Sequence, residues 1–136
     1  MAESLVIGVI PDPLRWDRWD EAKALLEPAR ARGDFPDVIE PDEALYVVLD
    51  GDELLACATA WLAEGYVEVK LIGGRDAHRW LEQLDKVIGA AARGAGATRL
   101  IGMGRRGWTK ALLRMGWERL SEVDGNTVYA RDLEGQ

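Results

Sequence analysis

The 136-residue sequence predicts a single α/β domain over residues 1–136, with a mixed, largely antiparallel sheet and helices on both faces. Three observations predict it. Tyr66 to Leu100 reads as strand, glycine turn, long helix and strand, a crossover expected to be parallel and right-handed. Before it, the apolar runs Ala44–Leu49 and Leu54–Leu62 are joined by Asp50-Gly51-Asp52, a hairpin signal. After it, Trp117–Val123 and Thr127–Arg131 flank a second such turn, Asp124-Gly125-Asn126.

Taken in order, Ser4–Ile10 predicts a first strand that Pro11-Asp12-Pro13 ends. Trp16–Arg32 predicts a helix with Trp19, Ala22, Leu25, Leu26 and Ala29 on one face. Pro28 inside it predicts a kink or a stop near Glu27, and Gly33 closes it. Asp34–Asp42 reads as an acidic loop or short helix, a rim over a substrate. Ala44–Leu49 is almost wholly apolar, as a strand covered on both faces is. The small residues Ala56 to Ala60 of the next strand imply a close neighbour.

Tyr66–Ile72 alternates apolar and charged residues, the period of a strand with one buried face. Gly73-Gly74 is expected to turn the chain, and Asp76 to cap the helix that follows. Trp80, Leu81, Leu84, Val87, Ile88 and Ala91 recur at spacings of three and four, one apolar stripe on a helix. Gly94 and Gly96 end it, and Thr98-Arg99-Leu100-Ile101 begins a strand. A shorter helix over Trp108–Met115 ends at Gly116.

The formal charge of −7 is unevenly spread. Every charged residue from Asp34 to Glu53 is acidic, whereas Arg99, Arg105, Arg106, Lys110, Arg114 and Arg119 are opposed only by Glu118. Two solvated faces satisfy this pattern; so does a cleft with an anionic ligand at one end and a cationic one at the other. The overall acidity argues against nucleic acid as a partner. No apolar run approaches the ~20 residues of a membrane span, and Leu5–Ile10 is too short for a signal core. One cysteine, Cys57, forms no internal disulfide and fits a reducing cytoplasm; with one histidine, His78, it leaves no zinc set, and no metal is expected.

Gly102, Gly104 and Gly107 spell G-x-G-x-x-G after a strand and before a helix. That pattern holds a dinucleotide pyrophosphate when it opens a doubly wound sheet, but only one helix and two hairpin strands follow it. A tight strand-to-helix turn is the expectation. One histidine without a neighbouring nucleophile makes no Ser/His/Asp triad, and Cys57 among alanines reads as buried and inert. His78 reads as a surface or capping residue, and the six tryptophans as core and rim packing with one or two lining a pocket. The turn after Ile72 leaves bare N–H groups beside Arg75, a generic anion seat. Glu68, on the strand entering it, is either part of a solvated alternation or a general base for an attacking amine.

The order of elements resembles the GNAT superfamily of acyl-CoA N-acyltransferases, over nearly the whole chain. Trp108-Thr109-Lys110-Ala111-Leu112-Leu113-Arg114-Met115-Gly116-Trp117 is similar to that family's last helix, which runs into glycine and an aromatic. Val67–Arg75 resembles the family's strand and pyrophosphate-binding turn, although Gly73-Gly74-Arg75-Asp76-Ala77 lacks the usual glycine spacing. The resemblance implies acetyl-CoA or another acyl-CoA held by Gly73, Gly74, Arg75, Ala77 and Arg79. It also implies direct transfer to a small-molecule or protein amine, with Glu68 as base, and a homodimer is compatible with it. Many members carry a tyrosine four residues before the helix-ending glycine; here that position is Leu112. Short chains of this kind also resemble GNAT-like proteins of phages and prophages. A non-catalytic binding or assembly module therefore stands as the alternative.

Overall fold

The computed structural model describes residues 5–104 and 106–133, with only the backbone described at Arg106. Seven strands form one sheet: β1 (Leu5–Ile10), β2 (Ala44–Asp50), β3 (Glu53–Leu62), β4 (Tyr66–Gly74), β5 (Arg99–Gly104), β6 (Glu118–Val123) and β7 (Asn126–Asp132). Their spatial order is β1-β2-β3-β4-β5-β7-β6, antiparallel throughout except for the parallel β4/β5 pair. The three α-helices among the described residues are α1 (Trp19–Gly33), α2 (Leu81–Gly94) and α3 (Thr109–Arg114). None of them is long and apolar enough to cross a membrane.

Two cores result, one on each face of the sheet. Ala22 and Leu26 of α1 pack with Leu45, Val47, Cys57 and Leu71. On the other face Trp80, Leu84, Ile88 and Ala92 pack with Val48, Ala58, Val67, Leu100, Trp117 and Tyr129. The small residues of β3 are fully buried, which explains their size. The stripe on α2 carries Ala92 inside and Ala91 in solvent, one position from expectation.

Helix α1 starts at Trp19, three residues later than expected, after a short 3₁₀ turn over Pro13–Arg15. It does not stop near Glu27 but continues past Pro28 to Gly33. Pro28 and Ala24 are both exposed, so the carbonyl that Pro28 leaves without a partner faces water. Asp34, in the left-handed region at φ 54°, ends the helix.

The double glycine does not turn the chain. β4 continues through it, with Gly73 opposite Cys57 and Gly74 opposite Ala56. A Cβ on Gly73 would strike the Leu25 carbonyl of α1, and one on Gly74 would strike Leu55 and Ala56. Both glycines therefore serve close packing, and the bend falls later, at Asp76, whose φ is 57°. Asp76 makes no side-chain cap; a 3₁₀ turn over Ala77–Arg79 intervenes, and α2 begins only at Leu81.

Similarly, Gly102 and Gly104 belong to β5 and do not form a turn before α3. At the end of α3 the expected cap is present. Trp117 N–H donates to the Leu112 carbonyl at 3.0 Å and Gly116 N–H to Leu113 at 3.2 Å, with Gly116 at φ 91°.

Candidate functional site

The parallel ladder between β4 and β5 ends at Val69 opposite Gly102. Both strands run on, β4 to Gly74 and β5 to Gly104, without pairing again. The sheet thus splits at its centre. A bulge sets the split: Thr59 faces Leu71 and Ala60 faces Val69, so Lys70 is the extra residue. The Leu71 amide, displaced from the ladder, donates to the buried Thr59 hydroxyl at 3.2 Å.

Behind the split, on the α2/α3 face, lies an apolar cavity of about 70 Å3. Val69 and Ile72 border it from β4, Gly102 and Gly104 from β5, and Trp108 and Leu112 from the α3 side. It adjoins a groove of about 1340 Å3 between α2 and α3, and Leu81, Asp85, Trp108 and Met115 line both. One end of the groove is the turn at Ala77 and His78. Among the described residues, no backbone carbonyl takes up the N–H groups of Asp76, Ala77 or His78. Asp76 and His78 are exposed and Ala77 is half-buried. Arg93 and Arg114 border the groove further along, both exposed and, among the described residues, in no ion pair. The arrangement suits a long ligand with phosphates at one end and an apolar arm at the other.

A buried network stiffens the wall of this groove. Asp85 Oδ1 of α2 accepts from Trp117 Nε1 at 2.9 Å and from Arg131 Nε at 3.2 Å. Arg131 Nη2 also donates to the Asp85 carbonyl at 3.3 Å. The arginine reaches the helix because Gly89 has no side chain to block it. Burial pushes the Asp85 carboxyl above its ordinary range, against the opposing pull of Arg131.

On the opposite, α1 face of the split stand Glu68 and Lys70. Glu68, half-buried, accepts from Trp61 Nε1 of β3 at 2.7 Å. Lys70 is neither solvated nor free. Its ammonium meets Glu43 at 2.8 Å and lies 5.1 Å from the centre of the Phe35 ring. Glu43 also accepts the Glu40 amide at 2.6 Å, which ties the acidic segment 34–42 to the bulge. Val38 of that segment is buried in the α1 core. The segment is thus anchored at both Val38 and Glu43.

The residues expected to hold a cofactor are divided by the structure. Ala77 lines the groove. Gly73 and Gly74 lie in the strand against α1 and β3. The Arg75 amide is already taken by the Leu55 carbonyl at 3.1 Å, and its side chain reaches Glu53 at 3.0 Å. Arg79 pairs with Asp50 at 2.9 Å. Glu68 lies on the face of the sheet opposite the cavity. Arg105 falls outside the described residues, as does the Arg106 side chain. Sequence reasoning missed the Lys70–Glu43 pair, because the partners are 27 positions apart. It also missed the cavity, which exists only where two glycines on one strand face a helix.

No family model matches the sequence, and no curated protein matches it. Solved structures do match the fold. The chain has the fold of the GNAT acetyltransferases. An acetyltransferase from Bacillus subtilis in complex with CoA superposes with a TM-score of 0.74 at 16% identity, over 95% of this chain and 99% of that one. A GNAT family acetyltransferase from Elizabethkingia anophelis with acetyl-CoA bound gives 0.69 at 13% identity, over 93% and 97%. Nourseothricin acetyltransferase gives 0.69 at 17% identity, over 96% and 99%.

Proposed function

We propose that this protein is an acyl-CoA-dependent N-acyltransferase. The observation that carries the proposal is the split between β4 and β5. It opens on one face to a groove and apolar cavity, and lies beside Glu68 and the acidic segment on the other. In this reading the pyrophosphate of acetyl-CoA rests on the amides of Asp76, Ala77 and His78, two to four positions beyond Gly74. Arg93 and Arg114 face the remaining phosphate, and the apolar arm enters the cavity. Gly73, Gly74, Arg75 and Arg79 support the turn from behind by holding β4 and its continuation against α1, β3 and β2.

The acceptor amine enters from the α1 face along Asp34, Asp37, Glu40 and Asp42, whose charge favours a cation. Glu68, directly or through water, takes a proton from the amine as its nitrogen attacks the thioester carbonyl. Transfer is direct: Cys57, the one thiol, is buried and inert.

The reading is supported by the likeness to acetyltransferases crystallised with CoA or acetyl-CoA. Acetyl-CoA at ~100 times its dissociation constant is expected to stabilise the fold by ~2.7 kcal/mol in a thermal-shift titration. The double variant Arg93→Glu/Arg114→Glu is expected to keep the unliganded Tm and to weaken the ligand shift. No shift with millimolar acetyl-CoA would overturn the proposal.

A further inference from the structure

The two edge strands of the sheet are built differently. At one end β6 pairs with β7 alone, and its free side is blunted. Glu118, Arg119 and Glu122 place charges along it. Leu120 is the extra residue of a bulge, where the register shifts between Arg119 and Ser121. Charges and bulges keep an exposed edge from pairing with another chain. At the other end β1 pairs with β2 alone and carries neither device. Leu5-Val6-Ile7-Gly8-Val9-Ile10 has no charged residue and no proline, and its register with β2 is unbroken over all six residues. No backbone hydrogen bond from a turn or loop among the described residues reaches this strand. Leu5 and Ile7 pack against the α2 core and Ile10 against the α1 core, whereas Val6 is 60% and Val9 50% exposed.

We propose that β1 is a self-association edge, through which two copies of this chain pair β1 with β1 antiparallel and join their sheets into one. Two features single out a second copy as the occupant. The free side of β1 is uncharged, so it meets its own image without the like-charge repulsion that a chain of net charge −7 would otherwise bring. The opposite edge, β6, is closed to β1 by its charges and its bulge, which excludes head-to-tail growth and leaves a closed, twofold pair.

The symmetry fixes what meets what. A twofold axis normal to the sheet runs the two strands antiparallel and keeps α1 of both copies on one face. Directly opposed residues project on the same face of a sheet. Leu5, Ile7 and Val9 lie on the α2 face, opposite Asp50, Val48 and Tyr46 of β2, and so meet only one another across the junction. Val9 is thereby covered by the partner's Leu5 or Ile7. Val6, Gly8 and Ile10 meet one another on the α1 face in the same way. Six residues span ~20 Å. A junction of that length lies at the low end of specific interfaces, so the pair is expected to come apart on dilution. It also leaves the split between β4 and β5 free, because β2 and β3 stand between.

The test is sedimentation equilibrium of the full chain over a dilution series. The wild-type protein is expected to pass from one copy to two as its concentration rises through the micromolar range. Val9→Lys gives β1 the charge that it lacks, at a position outside both cores, and is expected to stay at one copy with the wild-type circular dichroism. Leu120→Lys, the same change on β6, is expected to leave association unchanged. A second readout needs no variant: in hydrogen exchange the β1 amides of the wild-type protein are expected to lose protection on dilution while those of β3 keep it. A wild-type chain that stays single at millimolar concentration, or that grows beyond two copies, overturns the proposal. So does a folded Val9→Lys that still pairs, or a pair that Leu120→Lys dissolves. Should Val9→Lys fail to fold, the exchange decides, and β1 amides whose protection is the same in the single and the paired chain overturn the proposal.

Discussion

Lys70 shows how much a single residue in this chain depends on its surroundings. Along the strand it reads as the polar half of an alternation, and in the fold it is the extra residue of a bulge. Its side chain is 8% exposed and that of Glu43 is 3% exposed. The desolvation of such a pair is offset only while both partners are present. Lys70→Met is therefore expected to cost about 3–5 kcal/mol in urea denaturation, because Glu43 would stay buried without its cation. The acidic segment, tied down through Glu43, should become more susceptible to protease in the same variant. A loss under 1 kcal/mol would show that Glu43 finds water, and that the segment is held by Val38 alone.

At the scale of the element, both ends of α2 and α3 obey local rules to different degrees. The C-terminus of α3 is set by Gly116, which alone tolerates φ 91° without strain and completes the paired hydrogen bonds to Leu112 and Leu113. Gly116→Ala is expected to cost about 1–2 kcal/mol of stability, read from the urea midpoint. The N-terminus of α2 has no such device: Asp76 makes no cap, and two turns of different pitch share the entry. That unfinished end leaves three amides without a backbone carbonyl among the described residues, two of them on Ala77 and His78, which line the groove. The helix α1 illustrates the converse, since a proline that local rules would read as a break is accommodated on the solvent side.

The whole molecule is a sheet sealed by a core on each face, and Cys57 reports on its integrity. Burial pushes its thiol from an ordinary 9.0 up to about 12. A folded-state value above the unfolded one means that the folded chain binds the proton more tightly. The stability this contributes is complete below pH 9.0 and is lost as pH rises toward about 12. Unfolding free energy measured from pH 8 upward should therefore fall, and Cys57→Ala should fall less steeply. At pH 8 iodoacetamide should label Cys57 only through opening of the fold, and acetyl-CoA should slow that labelling. Rapid labelling of the native protein would show that the α1 core opens locally.

Much of this architecture was legible from periodicity and turn chemistry. The hairpin at Gly51, the crossover through α2, the Gly116 cap and the burial of Cys57 all rest on contacts within a few residues or on simple alternation. The element order, with the local matches at Trp108–Trp117 and Val67–Arg75, carried the resemblance to the GNAT fold. The candidate site was less legible. Gly73-Gly74 looked like a turn because glycine permits one, but the same absence of a Cβ admits the Leu25 carbonyl, and only packing decides between the uses. Arg75 and Arg79, expected beside the cofactor, have carboxylate partners in Glu53 and Asp50 at 3.0 and 2.9 Å, which no local pattern announces.

The sequence by itself determined which segments are strands and helices, their order, and which faces are apolar, because those follow from local stereochemistry and from spacing. Only the tertiary structure decided where the sheet splits, which amides find no backbone carbonyl among the described residues, and that Tyr129 of β7 pairs with Gly102 of β5. Those outcomes depend on strand register and on close approach between segments far apart in the chain, and no local pattern of residues encodes either.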